Sequence, residues 1–363
     1  MTTISAARVV CPDTVLEPAV VELDGDRIAA VGPARGPVPE RTLVPGFVDL
    51  QVNGIDDIDV AHAAGRDWDR LDGLLLDTGV TTWCPTLVTA PLDAYDEPLA
   101  RIATAAVRDG TRPTIAGAHL EGPFLGAMHG AHPHDLVAPV DLGWIAGLPD
   151  VVRVLTLGPE QPDAEQAASA LARRDVLVAM GHSAATFEEA VAVADAGARL
   201  VTHCFNGMPP LHHRAPGLVG AALSDDRLAV SLIADLVHVH PAALAIVVRA
   251  KGPHRVVLVT DSVAWRAETV GGIEIHFDGT APRLPDGTLA GSSLTMDRAL
   301  RNLVRAAGVP LPDAVRAAST TPAALLGLDD RGAITPGARA DLVALDADLE
   351  VERVWVGGQL VRD

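Results

Sequence analysis

The feature that most constrains the fold is a series of eight short apolar segments between about residues 46 and 330, most of them separated by Ala-rich helical stretches. These segments have the length and apolar content of buried strands, and they span residues 47–52, 81–88, 114–120, 151–157, 176–180, 200–203, 228–234 and 256–260. Eight strand–helix units in succession predict an α/β fold, a (β/α)8 barrel of the TIM type. A doubly wound open sheet is the alternative. No Gly-x-Gly-x-x-Gly follows the first strand, which argues against the dinucleotide-binding form of that sheet.

The two ends of the chain have a different, β-rich pattern. Residues 20–31 predict a hairpin with Asp24 and Gly25 at its turn, and residues 341–361 continue in the same style. We therefore expect a composite β-sandwich domain made of residues 1–45 and 335–363, beside a barrel domain of residues 46–334. Residues 273–288 predict a hairpin inserted into the barrel, with Asp286 and Gly287 at its turn.

Composition excludes several classes of partner. The formal net charge is −19, from 47 acidic and 28 basic residues, so we expect neither a nucleic acid nor a membrane partner. We expect no signal peptide, and no apolar run in the sequence has the length of a membrane-spanning helix. The three cysteines lie far apart, which argues against a disulfide framework and is typical of a reducing, cytoplasmic location.

Polar residues that could carry chemistry stand at the ends of four predicted strands: Glu121, His182, His203 and Asp261. In a barrel the carboxyl ends of the strands form the working face. Two histidines and a carboxylate with an open fourth position are a common catalytic zinc set. Each residue alone has an ordinary explanation, such as a hydrogen-bonded core histidine or an aspartate that caps a helix. Four such ends on one face favour a site built around one metal ion.

Several motifs occur in the order found in one enzyme family. They are Pro45-Gly-Phe-Val-Asp-Leu-Gln-Val-Asn-Gly54, His119-Leu-Glu-Gly-Pro-Phe124, Gly130-Ala-His-Pro133, Gly181-His-Ser-Ala-Ala-Thr186, Thr202-His-Cys-Phe-Asn-Gly-Met-Pro209, Arg214-Ala-Pro-Gly217, Ile233-Ala-Asp-Leu-Val-His238, Val259-Thr-Asp261 and Leu289-Ala-Gly-Ser-Ser-Leu-Thr-Met296. Nearly the whole chain resembles the N-acetylglucosamine-6-phosphate deacetylases of the amidohydrolase superfamily. The motifs are weak singly and specific in combination.

The resemblance implies an activity and a set of site residues. The activity is hydrolysis of the N-acetyl group of N-acetylglucosamine 6-phosphate, with one divalent metal ion per subunit; we expect zinc, with iron or manganese as alternatives. The metal ligands would be Glu121, His182 and His203, and Asp261 would be the general base. Arg214 would reach the sugar phosphate of a neighbouring subunit, so a homodimer is expected. The remaining implied substrate contacts are Ala131, His132, Asn206, Gly207, His238, Leu289, Ala290 and Gly291, and we add Gln51 as a predicted substrate contact.

The end of the first strand bears on the number of metal ions. Two-metal amidohydrolases usually carry His-x-His there, whereas this chain has Gln51 and Asn53. A carboxamide is a poor ligand for a borderline metal. The other device for two metals is a carbamylated lysine on strand four, and the only lysine, Lys251, precedes strand eight. Both observations favour a single metal, with Gln51 hydrogen-bonding a water or the substrate.

Three segments depart from the family pattern: residues 55–59, Leu236 and residues 262–265. The first carries three carboxylates and the second replaces a usual glycine. Two of these segments would lie at the pocket mouth, where they could change the accepted sugar or disfavour a phosphate; alternatively, they are surface loops. Two other functions therefore stay open, a deacylase of a different N-acyl amino sugar and a non-catalytic barrel scaffold. The complete Glu-His-His-Asp set argues against the scaffold.

Overall fold

The computed structural model describes residues 2–267, 269–270 and 272–363. Its centre is a parallel barrel whose strands are Phe47–Val52, Val80–Leu87, Ala118–Glu121, Val152–Leu157, Leu177–Met180, Leu200–Val201, Ala229–Leu232 and Val256–Leu258. Each strand pairs in parallel with its neighbour in the sequence. The eighth returns to the first through a parallel bridge between Val52 and Ser262, and Asp261 N donates to Gln51 O at 3.0 Å. The predicted barrel is confirmed.

The third strand is shorter than predicted. Two pieces replace the expected continuous strand over residues 114–120: Thr114–Ile115, and Ala118–Glu121, which ends one residue later than predicted. They are separated at Gly117, whose φ is +137°. A Cβ at this position would lie 2.7 Å from the Val151 carbonyl oxygen, so the close approach of the two chains requires glycine there.

A helix follows every barrel strand. These helices are Asp67–Asp77, Asp96–Ala106, Leu142–Gly147, Ala164–Ala172, Phe187–Asp195, Gly217–Ser224, Pro241–Lys251 and Met296–Arg305. The fifth begins at a capping box, in which Thr186 Oγ1 accepts from Glu189 N and Glu189 Oε2 accepts from Thr186 N. Helices Leu311–Val315 and Thr321–Leu325 flank a π-helical segment at 316–320. Among the described residues, none of the helices combines the length and apolarity that crossing a membrane requires.

The chain ends form two further sheets. One contains Thr2–Ala6, Ala19–Asp24 and Arg27–Pro33; the other contains Arg8–Val10, Val15–Leu16, Thr42–Pro45, Leu342–Leu345, Val351–Val356 and Gln359–Arg362. Asp24 pairs with Arg27, so the first hairpin turns at Gly25 and Asp26, one residue later than predicted. Side chains from both termini, including Val21, Leu43 and Trp355, share a core cluster of their own. On that basis we propose the predicted division into residues 1–45 with 335–363 and residues 46–334.

The insertion after the eighth strand has two short ribbons where a single hairpin over 273–288 was predicted. Thr269–Val270 pairs with Ile273–Glu274, and His276–Phe277 pairs with Pro282–Arg283. The predicted turn at Asp286 and Gly287 is present, since Leu284 N donates to Thr288 O at 2.9 Å. Apolar side chains of this insertion pack with Val263 in a small cluster beside the carboxyl end of the barrel.

Candidate active site

Three predicted ligand side chains converge at the carboxyl end of the barrel. Glu121 Oε1 lies 2.9 Å from His203 Nε2 and 3.2 Å from His182 Nε2, and the two nitrogens are 3.0 Å apart. All three residues are buried. Glu121 ends the third strand, and the two histidines come two residues after the fifth and sixth strands. The strand ends therefore bring residues 61 and 82 positions apart in the chain to a single point.

The backbone at this point is unusual. His182 has φ +49°, His203 has φ +31° and Asp261 has φ +49°, all in the left-handed region that residues with a Cβ seldom adopt. Such strain persists only where the surrounding structure imposes it, and it concentrates at functional sites. Here the three residues follow three different barrel strands, and their side chains all turn towards Glu121.

His132 belongs to the same cluster. Its Nε2 lies 3.8 Å from Glu121 Oε2, and ligand atoms of Glu121, His132 and His182 all lie within 4.8 Å of one another. Thr89 N donates to His132 Nδ1 at 3.4 Å, and the Thr89 hydroxyl is 2.8 Å from the same nitrogen. This assigns the proton to Nε2, so the ring presents an N–H to the site. Burial lowers the pKa of His132 to about 3, which keeps the ring neutral.

The donor set fits a divalent metal ion. Burial lowers the pKa of His182, which favours the neutral imidazole that a metal requires. At His203 burial is outweighed by the hydrogen bond to Glu121, which raises the pKa of that ring, and a bound cation would act against this effect. Burial opposes ionisation of Glu121, but hydrogen bonds to His182 and His203 outweigh it and hold the pKa of that carboxyl well below its ordinary value. Two imidazole nitrogens and a carboxylate oxygen about 3 Å apart form one face of a tetrahedral coordination shell. The nitrogen and oxygen atoms of Glu121, His182 and His203 lie closer together than those of the alternative set, Glu121, His132 and His182.

Asp261 is held on the other side of Glu121 by two amides. Gln51 Nε2 donates to Glu121 Oε1 and to Asp261 Oδ1, both at 2.9 Å, and Asn53 Nδ2 donates to Asp261 Oδ1 at 2.8 Å. Burial and the nearby Glu121 charge raise the pKa of Asp261 to about 8. A bound cation would act against both effects. The site therefore places a carboxylate of raised basicity next to the cluster of ligand atoms.

These side chains line a pocket of about 360 Å³. Most of the predicted substrate contacts lie in its wall: Ala131, His132, Asn206, Gly207, His238, Leu289, Ala290 and Gly291. Residues that were not predicted also line it, among them Asn53, Ile273, Ile275 and Arg283. The last three come from the insertion after the eighth strand, whose role as a pocket wall has no signature in the sequence. A cavity of this size accommodates a small organic molecule.

Two predicted contacts lie elsewhere. Gln51 does not line the pocket; its side-chain NH2 group instead donates to both Glu121 and Asp261. Arg214 is exposed, and its Nη1 lies 2.9 Å from His213 Nε2. It does not line the pocket of its own chain, so its contact with a neighbouring subunit stays a prediction.

The departures from the family pattern are mostly outside the pocket. Asp56 pairs with Arg266 at 2.9 Å and Asp57 pairs with Arg70 at 2.6 Å. Asp59 Oδ2 is 3.0 Å from His62 Nδ1. None of the three carboxylates lines the pocket, so none of them would contact a phosphate bound there. Val263, from the third segment, does line the pocket.

Glu160 is a supporting residue that the sequence prediction missed. Its Oε1 accepts from Ala127 N at 3.0 Å and from Ala184 N at 2.8 Å, and its Oε2 accepts from the Ser183 hydroxyl. Ser183 and Ala184 follow His182 directly, so this carboxylate fixes the loop that carries a predicted metal ligand. Glu160 comes three residues after the fourth strand, and the strand-end rule used for the other four residues would have identified it.

Comparison with known proteins places this geometry in a family. A sequence model of the amidohydrolase family matches residues 42–361. An N-acetylgalactosamine-6-phosphate deacetylase of Escherichia coli O157:H7 is 40% identical over 347 residues, which are 92% of this chain and 92% of that protein. An N-acetylglucosamine-6-phosphate deacetylase of Bos taurus is 39% identical over 345 residues, covering 88% of this chain and 83% of its own length.

Solved structures agree over the full chain. The crystal structure of N-acetylglucosamine-6-phosphate deacetylase from Thermotoga maritima superposes with a TM-score of 0.93 at 33% identity, and 100% of each chain is covered. An aspartate-to-alanine mutant of the Mycobacterium smegmatis enzyme in complex with N-acetyl-D-glucosamine-6-phosphate gives 0.93 at 34% identity, with 100% and 99% coverage. The relationship indicated by the motifs is confirmed: the chain belongs to the amidohydrolase family.

Proposed function

We propose that this protein is a metal-dependent amidohydrolase that removes the N-acetyl group of N-acetylglucosamine 6-phosphate, giving glucosamine 6-phosphate and acetate, in amino-sugar catabolism. The observation that carries the proposal is the meeting of Glu121, His182 and His203 at one point beside Asp261, within a pocket. It is supported by full-length similarity to deacetylases of this substrate.

Glu121, His182 and His203 are the proposed ligands of one divalent metal ion. When bound, such an ion supplies Lewis-acid polarisation of the acyl carbonyl and lowers the pKa of water towards about 7. We propose zinc, with iron or manganese as alternatives, because the nitrogen and oxygen donors suit all three. We further propose a homodimer in which Arg214 enters the neighbouring site, and a cytoplasmic location.

Asp261 is the proposed general base and acid. Its Oδ1 is occupied by the amides of Gln51 and Asn53, and its Oδ2 makes no hydrogen bond to any described residue. Oδ2 is thus the atom that takes a proton from the attacking water and returns it to the departing nitrogen. Without that return the amine would leave as an unstable anion. His132 presents its Nε2–H to the same space, where it can donate to the oxygen of the tetrahedral intermediate.

His238 is a proposed substrate contact that a neighbouring carboxylate orients. Asp235 Oδ2 lies 2.6 Å from His238 Nδ1, and Asp235 Oδ1 accepts from the backbone N–H groups of Val237 and His238. Because the carboxylate accepts hydrogen bonds, Nδ1 carries the hydrogen. The ring is buried and lines the pocket, so its other nitrogen is the one available to the substrate.

A second candidate substrate is the galacto epimer, N-acetylgalactosamine 6-phosphate. The relative that acts on that sugar is 40% identical, and the Bos taurus enzyme that acts on the gluco epimer is 39% identical, so identity does not separate the two. Acetate release from both phosphorylated sugars and from unphosphorylated N-acetylglucosamine tests the choice. We expect the gluco phosphate to give the highest kcat/KM. A clear preference for the galacto epimer or for the unphosphorylated sugar would contradict the proposed substrate.

The role of Asp261 is tested by Asp261→Asn. General acid–base catalysis typically contributes about 100- to 10,000-fold, so kcat should fall by that factor while the metal content stays that of the parent enzyme. Metal analysis of the same samples separates lost chemistry from lost metal. A variant that turns over at nearly the parent rate would refute the assignment.

A further inference from the structure

Asn53 has a buried acceptor atom for which the described part of the chain supplies no partner. The residue follows the first barrel strand, is 3% exposed and lines the pocket. Its Nδ2 donates to Asp261 Oδ1 at 2.8 Å, but its side-chain Oδ1 has no hydrogen-bond partner among the described residues. The backbone is fixed, since Asn53 N donates to Ser262 O at 2.8 Å and Val60 N donates to Asn53 O at 2.9 Å.

The orientation of the Asn53 amide follows from its neighbour. Asp261 Oδ1 already accepts a hydrogen bond from Gln51 Nε2, so it also acts as the acceptor towards Asn53; the Asn53 NH2 group faces it and the carbonyl oxygen faces away. A buried carbonyl left without a donor is unfavourable, and buried polar groups are paired in nearly all proteins. Because Asn53 lines the pocket, its unpaired Oδ1 is an acceptor that a donor on a molecule bound there would satisfy.

Holding Asp261 in place does not fully explain why an asparagine stands at position 53. Gln51 Nε2 already donates to the same Asp261 oxygen at 2.9 Å, and Gln51 does not line the pocket. The two residues thus share one function, holding Asp261 Oδ1. Only Asn53 both lines the pocket and has a side-chain acceptor without a partner among the described residues.

We propose that Asn53 Oδ1 accepts the N–H of the scissile amide, an inference that rests on the proposed deacetylase function. In the tetrahedral intermediate the nitrogen carries one hydrogen and one lone pair. With its hydrogen on Asn53, the nitrogen turns its lone pair towards Asp261 Oδ2. The proton moves from Oδ2 to the nitrogen, the C–N electron pair leaves with the amine, and Asp261 returns to its carboxylate form.

The contact would make Asn53 a determinant of amide over ester hydrolysis. A site built to pair with an N–H discriminates against an analogue that lacks it, because the buried acceptor then stays unpaired. An ester analogue of the substrate, with oxygen in place of the nitrogen on C2, has no hydrogen to donate. The inference therefore predicts a loss that depends on the reacting atom of the substrate.

The experiment measures initial rates of acetate release by the metal-loaded parent, Asn53→Ala and Gln51→Ala on N-acetylglucosamine 6-phosphate and on 2-O-acetylglucose 6-phosphate. We expect Asn53→Ala to lose about tenfold to a hundredfold more kcat/KM on the amide than on the ester, the size of one hydrogen bond. Gln51→Ala is the matched control, because it removes a donor from Asp261 Oδ1 without removing an acceptor from the pocket. It should lose equally on both substrates.

An equal loss on both substrates for Asn53→Ala would overturn the inference, because the residue would then act only by holding Asp261 or the attacking water. A parent enzyme that releases no acetate from either compound would instead overturn the proposed function. Asn53→Ser, with a hydroxyl too short to reach both positions, gives the same ratio test if thermal unfolding shows that the alanine variant is poorly folded. The ratio of the two losses is independent of how much active protein each preparation contains.

Discussion

The carboxylate of Glu160 provides a quantitative test of how the ligand loops are held. It accepts three hydrogen bonds, two from backbone amides at 3.0 and 2.8 Å and one from the Ser183 hydroxyl. Gly126 N also donates to the carbonyl of His182 at 2.9 Å, so the loops after the third and fifth strands meet at this carboxylate. Removing Glu160 should loosen His182 without touching any atom of the proposed metal site.

The expected size of the effect follows from these contacts. A hydrogen bond to a charged group contributes about 1.5–3 kcal/mol, and the partial exposure of Glu160 reduces this to about 1 kcal/mol each. Loss of all three costs about 3 kcal/mol, of which a part orders the His182 loop. Loss of an outer-shell partner typically lowers metal affinity by about 10- to 100-fold, or about 1.4–2.7 kcal/mol. The two estimates agree, so Glu160→Ala should raise the Kd for zinc by about 10- to 100-fold.

Glu160→Gln is the matched control. Its single carbonyl oxygen can still accept from Ala127 N and Ala184 N, and its NH2 group can donate to the Ser183 hydroxyl oxygen. We expect its Kd to stay within about threefold of the parent value. The assay is competition for zinc between metal-free protein and a chromogenic chelator, with urea unfolding of the metal-free proteins alongside. An unchanged Kd in Glu160→Ala, or an equal loss in both variants, would refute the reasoning.

Two further predictions concern stability. Leu236 has φ +69° and is 39% exposed. A residue with a Cβ is destabilised by about 1–2 kcal/mol in this conformation, whereas glycine loses about 0.5–1 kcal/mol more conformational entropy on folding. Leu236→Gly should therefore raise Tm by about 1–3 °C. A lower Tm by calorimetry would contradict this. Asp49 is buried, and burial raises the pKa of its carboxyl to about 7 despite hydrogen bonds from Thr260 and Gln51. The stabilisation from protonated Asp49 is therefore fully present below about pH 4 and is lost as the pH rises to about 7, with an upper limit of about 4 kcal/mol. Asp49→Asn should make the free energy of unfolding, measured in urea, less dependent on pH over that range. An unchanged pH dependence would count against this prediction.

The parts of this protein that could be predicted from its sequence are those with local causes. The barrel follows from a strand–helix alternation, and the start of helix Phe187–Asp195 follows from a capping box within four residues. Glu121, His182, His203 and Asp261 could be proposed as neighbours because parallel strands in a barrel end on one face. That rule needs no knowledge of which side chains touch.

Other features depend on partners that are distant in the sequence. Asp56 and Asp57 lie in a segment that was considered for the pocket mouth, but they form ion pairs with Arg266 and Arg70 outside the pocket. No local sequence pattern predicts these ion pairs. The break in the third strand depends on the Val151 carbonyl next to Gly117. The pocket wall formed by the insertion depends on how two short ribbons pack against Val263. In each case a tertiary contact decides the outcome.

The polarity of the amides at the end of the first strand argues that the site is built for one cation. A second metal ion between Glu121 and Asp261 would need lone pairs directed at it. The structure instead directs N–H groups there, from Gln51 to both carboxylates and from Asn53 to Asp261. Turning either amide around would give up these bonds and place carbonyl oxygens against carboxylate oxygens. The two amides hold Asp261, the proposed base, beside Glu121, and a second cation at this place would have to displace their N–H groups.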